Sequence, residues 1–206
     1  MNKIIGCILF LLPFYVLQGQ SESKPYVEFS FGRSIHGTGD TPGYHYGFSF
    51  GQEFSRKFYW QLGFEGTLND SPDFLLFYEL RDGERVDASL HTVTAGFQIV
   101  GGIKYNFVET STQQLGLAIL PLLRYQATSL SDINSVLFPG ATGLPIPLRN
   151  SVRFSSGRTF SVGASLRLSY TVHMGNTYYL GMLGAVQWDT NGDSLPHFGL
   201  VFGKRF

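Results

Sequence analysis

The chain has 206 residues, and its 15 basic and 15 acidic side chains give a formal net charge of zero. This balance argues against a nucleic-acid partner, which would require a basic surface. Charged residues make up only 15%, against about 25% in typical soluble domains, while aromatic residues reach 16% and glycines number 25. Outside the first residues no apolar run approaches the roughly 18 residues of a transmembrane helix. The composition therefore excludes a helical membrane protein and favours a membrane-embedded sheet.

Residues 1–19 are predicted to be a cleaved secretory signal peptide. Lys3 precedes an apolar run over residues 4–17, and small and polar residues around Gly19 provide a cleavage site. Cys7 lies inside the apolar run, so we interpret it as apolar filler and not as a lipidated residue. The mature chain then has no disulfide and no thiolate metal site. Residues 25–206 form one predicted domain.

Alternation with a period of two runs through this domain and predicts eight β-strands. It is clearest over residues 58–69, where Phe58, Trp60, Leu62, Phe64 and Leu68 share one face and polar residues and glycine occupy the other. Each strand supplies the roughly 9–11 residues that a tilted transmembrane strand needs. The predicted strands cover residues 25–35, 44–54, 58–69, 91–107, 114–127, 159–171, 178–189 and 196–206.

The links between strands alternate in length. The links at 55–57, 108–113 and 172–177 are short, whereas those on the other side are mostly longer, and the longest, 128–157, contains three prolines. This alternation is typical of an up-and-down outer-membrane barrel with periplasmic turns and termini. Residues 58–107 are predicted to form one protruding hairpin with its tip at Asp82-Gly83 and a bulge near 69–72. The alternative is a loose loop that carries a small separate hairpin.

The polar face is predicted to line the lumen. It is rich in Gly, Ser, Thr and Gln and poor in charge, whereas a water-facing surface would carry many more Lys and Glu residues. Buried charges are costly unless they are paired, so we expect an ion-pair network that fills the lumen; the alternative is a proton or ion path. The charged residues of this face are Glu28, Glu53, Glu65, Lys104, Arg124, Arg167 and Arg205.

Aromatic residues of the apolar face are predicted to form two belts at the level of the lipid headgroups. One belt lies near the periplasmic strand ends and the other near the outer ends. The first comprises Phe58, Trp60, Tyr105, Phe107, Tyr170, Tyr178 and Phe206, and the second comprises Tyr44, Tyr46, Tyr125 and Trp188.

The domain resembles the small eight-stranded outer-membrane barrels of the OmpA/OmpX kind, and in particular the compact barrel proteins common in Bacteroidota. The resemblance implies a monomer in outer-membrane lipid, delivered by the Sec translocon, periplasmic chaperones and the barrel-assembly machinery. That machinery reads the last strand, and the residues that match its signal are Phe198, Gly199, Phe202 and Phe206. Lys204 departs from the signal, but a lysine near the interface can extend its ammonium group to water.

An enzymatic site has weak support in the sequence. Asp87, Ser89 and His91 share one face at the outer end of a strand, but same-face neighbours lie roughly 7 Å apart, too far for direct hydrogen bonds. We interpret them as a polar patch and keep a lipid-modifying acyl hydrolase or transferase as the alternative. The histidines His36, His45, His173 and His197 lie on four separate elements without metal-ligand spacing. The sequence predicts no catalytic residue, no metal and no cofactor.

A binding or structural role through exposed elements remains. An eight-stranded barrel is just wide enough for side chains, so we expect no open small-solute channel. The apolar stretch within the 128–157 link is predicted to bind an extracellular partner, with a plug over the barrel mouth as the alternative. Its candidate residues are Val136, Leu137, Phe138, Leu144, Ile146 and Leu148.

Overall fold

The computed structural model describes residues 25–37, 41–74, 77–79, 85–87, 90–137, 139, 145–175 and 177–206, and nearly all of them are in β-strands. The predicted signal peptide lies outside the described residues. No helix in the described part of the chain is long and apolar enough to cross a membrane. The strands are β1 (Pro25–His36), β2 (Thr41–Ser55), β3 (Phe58–Phe74), β4 (Phe77–Glu79), β5 (Arg85–Asp87), β6 (Leu90–Glu109), β7 (Gln113–Leu137), β8 (Leu148–Met174), β9 (Tyr178–Asp189) and β10 (Ser194–Arg205).

Eight of these strands close into an antiparallel barrel in the order β1-β10-β9-β8-β7-β6-β3-β2. Each barrel strand pairs with the barrel strand that follows it in the chain, and β1 pairs with β10 from Tyr26↔Arg205 to Ser34↔His197. The backbone of Phe206 also donates a hydrogen bond of 3.0 Å to Pro25 O. The predicted eight-stranded up-and-down transmembrane barrel is confirmed.

The strands end in short turns at one end of the barrel and extend beyond it at the other. At one end, called here the turn end, β2–β3, β6–β7 and β8–β9 are joined by short turns, and the left-handed φ of 70° at Lys57 lies in one of them. At the opposite end, called here the hairpin end, two pairs of strands run past the barrel. β4 and β5 form a separate two-stranded sheet, paired from Phe77↔Asp87 to Glu79↔Arg85. The described parts of the predicted hairpin therefore pair as β3 with β6 and β4 with β5, and residues 75–76, 80–84 and 88–89, with the Asp82-Gly83 tip, lie outside the described residues.

The second extension, formed by β7 and β8, shows that the loop predicted at 128–157 is wrong for most of its length. β7 and β8 remain paired from Gln113↔Val172 to Leu137↔Leu148, with register shifts near Ile133. Most of the predicted loop is therefore a two-stranded ladder, and only residues 138–147 connect its arms. The predicted bulge near 69–72 also lies slightly further along, where the register shifts between Pro72 and Phe74.

The outer surface of the barrel is apolar, as the alternation predicts. Phe48, Phe64 and Leu168 are each about half exposed, whereas Glu65 and Thr67, on the opposite face of the sheet, are buried. A surface of this composition is stable only against lipid, because exposed side chains of this type in water would form one continuous apolar patch. The polar face therefore lines the lumen.

Aromatic rings pair between adjacent strands at both ends of this surface. At the turn end, Phe58 and Tyr105 have ring centroids 4.8 Å apart and Tyr178 stacks on Phe202 at 5.9 Å. At the hairpin end, the corresponding pair of Tyr125 and Phe160 lies at 4.8 Å. Such pairs contribute about 0.5–1.5 kcal/mol beyond their buried area, and they hold neighbouring strands in register where the ladders end.

Candidate functional site

Five of the seven charged residues predicted for the lumen are buried, namely Glu28, Glu65, Lys104, Arg124 and Arg167. Glu53 and Arg205 are half-buried near the turn end. These side chains point inward because all of them share the polar parity of their strands.

Glu65 and Arg167 form an ion pair across the lumen. The second carboxylate oxygen, Oε2, accepts a hydrogen bond of 2.9 Å from Gln98 Nε2, which also donates to Gln187 Oε1 at 2.8 Å. All four side chains are at most 3% exposed. A buried ion pair of this kind survives only with such additional hydrogen bonds, because they offset the desolvation of the two charges.

Arg124 is bound by neutral groups. Its Nε donates to Gln126 Oε1 at 2.9 Å, its Nη1 to Gln98 Oε1 at 3.0 Å and its Nη2 to Thr67 Oγ1 at 2.9 Å. No carboxylate accepts a hydrogen bond from it among the described residues. The guanidinium lies over Gly96, where a Cβ atom would clash with it, so the glycine provides the space that Arg124 occupies.

The network continues to the mouth at the hairpin end. Gln126 Nε2 donates to Asp193 Oδ2 at 3.3 Å, and His36 Nε2 lies 3.3 Å from Gln126 Oε1 and 3.5 Å from the same Asp193 oxygen. Polar contacts thus run without a break from Asp193 through Gln126, Arg124 and Gln98 to Glu65. The members inside the lumen, from Gln126 to Glu65, are buried, and Asp193 at the mouth is partly exposed, so the charges of Arg124 and Glu65 are stabilised by hydrogen bonds and not by water.

Three tyrosines fill the lumen at the turn end. Tyr26 packs edge-on against Tyr59 at 6.0 Å and against Tyr179 at 6.5 Å. Tyr179 Oη donates to Glu28 Oε2 at 3.2 Å, and Lys104 Nζ lies 5.8 Å from the centre of the Tyr26 ring. Glu28 and Lys104 are therefore held by aromatic side chains, which the charge pattern alone did not indicate.

The structure brings together two histidines that lie on separate elements of the sequence without metal-ligand spacing. The rings of His45 on β2 and His197 on β10 stack with centroids 4.1 Å apart and an interplanar angle of 21°. His45 Nε2 also lies 3.6 Å from Glu65 Oε2. The only signal in the sequence is that both histidines have lumen parity; their contact depends on barrel closure, since β2 and β10 lie on either side of β1.

The outer-rim patch of Asp87, Ser89 and His91 is only partly described. His91 is exposed, and its Nδ1 lies 2.9 Å from Asp70 Oδ1 on the neighbouring strand. Ser89 lies outside the described residues, and Asp87 is placed by its backbone alone, paired with Phe77. The carboxylate that contacts His91 is therefore Asp70, which the sequence analysis did not include in the patch.

Of the predicted assembly-signal residues, Phe198 and Phe202 lie on the apolar face of β10, Phe206 follows its last residue, and Gly199 has lumen parity. Phe198 and Phe206 are each more than 60% exposed, Phe202 is half exposed, and Gly199 pairs with Gly32 of β1. Lys204 Nζ lies 4.6 Å from the centre of the Phe206 ring. The lysine thus contacts an aromatic ring at the turn end of the barrel.

Four of the six predicted binding residues are described, and they lie at the far end of the extension formed by β7 and β8. Leu137 pairs with Leu148, and Val136 pairs with Arg149. Ile146 lies between the two strands in the chain and is 42% exposed. Phe138 and Leu144 lie outside the described residues.

Comparison with known proteins identifies similar folds only. No protein-family model and no curated protein matches this sequence. Among solved structures, the chain is similar to Neisserial surface protein A, with a TM-score of 0.58 and 10% identity over 92% of this chain and 100% of that one. It is also similar to Ail, the attachment invasion locus protein of Yersinia pestis, in complex with the heparin analogue sucrose octasulfate, with a TM-score of 0.55 and 9% identity over 90% of this chain and all of that one. The fold is that of the small eight-stranded outer-membrane barrels.

Proposed function

We propose that this protein is a monomeric outer-membrane barrel of a Gram-negative bacterium, of the compact Bacteroidota kind, that binds an extracellular partner through the protruding hairpin of β7 and β8. In this proposal, residues 1–19 direct export, the turn end and both termini of the barrel face the periplasm, and the hairpin end faces outward. The Sec translocon, periplasmic chaperones and the barrel-assembly machinery deliver the chain, and the last strand carries the assembly signal. The packed lumen serves as a support and not as a route for solutes.

The observation that carries this proposal is the length of the β7–β8 extension. β7 pairs with β6 only as far as Thr94↔Thr128, whereas its pairing with β8 continues to Leu137↔Leu148. At about 3.3 Å per residue, the part beyond Thr128 is roughly 30 Å long. Both outer edges of such an extension have backbone groups that a partner strand can pair with.

The charge of the extension favours an anionic partner. Residues 128–158 contain Arg149, Arg153 and Arg158 but only one acidic residue, Asp132. Guanidinium groups bind sulfate and carboxylate groups in a bidentate manner. The similar barrel of Ail was solved with a sulfated heparin analogue, which supports a sulfated polysaccharide as the first ligand to test here.

The experiment shortens the extension and leaves the barrel intact. Residues 131–154 are replaced by Asn-Gly, so that Leu130 and Ser155 close a two-residue hairpin. The matched control replaces residues 75–89 by Asn-Gly between Phe74 and Leu90, which also pair. Both variants should reach the outer membrane and show heat-modifiable migration on gels, but only the first should lose retention on heparin resin.

Retention of the shortened β7–β8 variant at wild-type level would contradict the proposed binding role of this hairpin. A wild-type protein that remains in the soluble periplasmic fraction would contradict the outer-membrane location itself. The two failures are distinguishable because fractionation is measured before binding.

A lipid-modifying enzyme is the second candidate, and the contact between His91 and Asp70 favours it. A carboxylate 2.9 Å from Nδ1 orients an imidazole as a general base and stabilises its protonated form. The dyad is exposed near the hairpin end, where outer-leaflet lipid would be accessible. If this candidate is correct, His91→Gln and Ser89→Ala change the lipid A or phospholipid profile of expressing cells; an unchanged profile in both variants rules it out.

A further inference from the structure

The histidine pair in the lumen, together with Glu65, forms a compact set of metal-binding groups. One nitrogen each from His45 and His197 and a carboxylate oxygen of Glu65 all lie within 4.8 Å of one another. The three residues come from β2, β10 and β3, and each is at most 3% exposed. We propose that these three side chains bind one divalent transition-metal ion of the zinc class inside the barrel.

Three of the four imidazole nitrogens of this pair form no hydrogen bond among the described residues, namely both nitrogens of His45 and Nε2 of His197. His45 Nε2 lies 3.6 Å from Glu65 Oε2, which is longer than a hydrogen bond. Buried polar atoms are nearly always satisfied by protein, water or an ion. These nitrogens are therefore available to a bound ion.

The contacts around His197 and Glu65 determine which atom of each side chain can bind the ion. His197 Nδ1 lies 3.4 Å from Leu195 O, and because a carbonyl only accepts, this contact assigns the proton to Nδ1 and the lone pair to Nε2. Metal-binding histidines commonly donate their other N–H group to a backbone carbonyl in this way. Arg167 holds Oε1 of Glu65. Oε2 accepts a hydrogen bond from Gln98 and lies 3.6 Å from His45 Nε2, so its second lone pair is the one that can coordinate.

The set of donors determines the class of ion. Two imidazoles and one carboxylate suit Zn²⁺, Co²⁺ or Cu²⁺, whereas Ca²⁺ and Mg²⁺ require mainly oxygen ligands. Bonds of roughly 2.0–2.2 Å place the ligand atoms of a tetrahedral site about 3.3 Å apart. The widest separation between ligand atoms, at most 4.8 Å, must therefore shorten by up to about 1.5 Å, whereas His45 Nε2 and Glu65 Oε2 are already 3.6 Å apart. Gly47 leaves room beside them, since a Cβ atom there would be 3.1 Å from Glu65 Cγ and 3.6 Å from His45 Cε1.

The position of the site indicates how a bound ion would affect the closure of the barrel. Gly32 of β1 pairs with His45, and Ser34 of β1 pairs with His197. The two histidines therefore lie on either side of β1, next to the β1–β10 ladder that closes the barrel. An ion bound by both would link β2 to β10 across this closing ladder and stabilise the closed state.

The test is titration of the purified, folded full-length protein with Co²⁺, both after folding and with Co²⁺ present during refolding. Wild-type protein should bind one equivalent in either protocol and show the intense visible absorption of tetrahedral Co²⁺. His45→Gln and His197→Gln should each lower the affinity for Co²⁺ by at least ~100-fold. Removing a group that only orients a metal ligand costs up to about 100-fold, so removing the ligand itself should cost at least as much. The matched control is His36→Gln, another buried lumen histidine, which should bind Co²⁺ like the wild type.

A second measurement does not depend on the variants folding. X-ray absorption at the zinc edge of the loaded wild-type protein should show two imidazole ligands. Zn²⁺ at about 100 times its dissociation constant should also raise the wild-type melting temperature by roughly 5–10 °C. Failure of the wild-type protein to bind Co²⁺ in both protocols would overturn the proposal, as would binding that both histidine variants retain.

Discussion

The ion pair between Glu65 and Arg167 allows a quantitative test of how the lumen is stabilised. The change is Glu65→Gln, which keeps the shape of the side chain and removes its charge. The glutamine leaves the Arg167 guanidinium buried without its carboxylate, and Arg167 Nε already has no hydrogen-bond partner among the described residues. Arg167 is only 3% exposed, so water cannot replace the lost partner without rearrangement.

Breaking a buried pair from one side costs about 3–5 kcal/mol, because a charge is left uncompensated. With a denaturant slope of about 2 kcal/mol per molar urea, the unfolding midpoint should fall by roughly 2 M. The double variant Glu65→Gln/Arg167→Gln removes both charges and should recover most of this loss. The coupling free energy between the two sites should therefore be about 3 kcal/mol.

The assay is urea unfolding in lipid vesicles, followed by tryptophan fluorescence and by heat-modifiable migration on gels. The control is Asp70→Asn, which breaks the contact with His91, a pair whose side chains are more than half exposed. Its cost should stay below about 1 kcal/mol, as for other surface pairs. The reasoning is refuted if Glu65→Gln costs no more than the control, or if the double variant is as unstable as the sum of its single variants.

Three further outcomes are expected. Gly96→Ala should cost about 1–3 kcal/mol in the same urea assay, because the new methyl group clashes with the Arg124 guanidinium, whereas Gly184→Ala, which meets nothing within 4 Å, should be near neutral; equal costs would contradict the packing argument. In a Trp60→Phe background, lipids with brominated acyl chains should quench Trp188, since that ring is 52% exposed on the apolar face; emission insensitive to bromine would place it away from lipid. In planar bilayers the purified wild-type protein should give no steady conductance, because Arg124 is fully buried in the lumen, and reproducible channel openings would count against a packed interior.

Much of the fold was predictable because strand alternation is local. Phe64 and Glu65 are neighbours in the chain, yet one is half exposed and the other is buried, as a period of two requires. The eight barrel strands and both faces follow from this pattern and from the lengths of the links.

The long extension of β7 and β8 was not predicted, because prolines suggested an irregular loop. Pro139, Pro145 and Pro147 all lie between Leu137 and Leu148, where the two strands end. The prolines lie only in the connection at the tip, whereas the residues of β7 and β8 pair along the rest of the hairpin.

The contact between His45 and His197 could not be predicted from the pattern of either strand. It depends on the register of β1 against both β2 and β10, which is set only when the barrel closes. Arg124 illustrates a similar limit. Its parity places it in the lumen, but its selection of Gln98, Gln126 and Thr67 over a carboxylate depends on side-chain packing.

The topology of the barrel also has a consequence for folding. Seven of the eight ladders of the barrel join barrel strands that follow one another in the chain, whereas the ladder between β1 and β10 joins the first described strand to the last. Contacts between sequence neighbours form quickly, and contacts between distant segments form last. Before that last ladder forms, the sheet has two unpaired edges and an apolar face, which together promote aggregation in water. Once the barrel is closed, β1 and β10 have no unpaired edge. Until they pair, both edges and the apolar face must be shielded from contact with other chains.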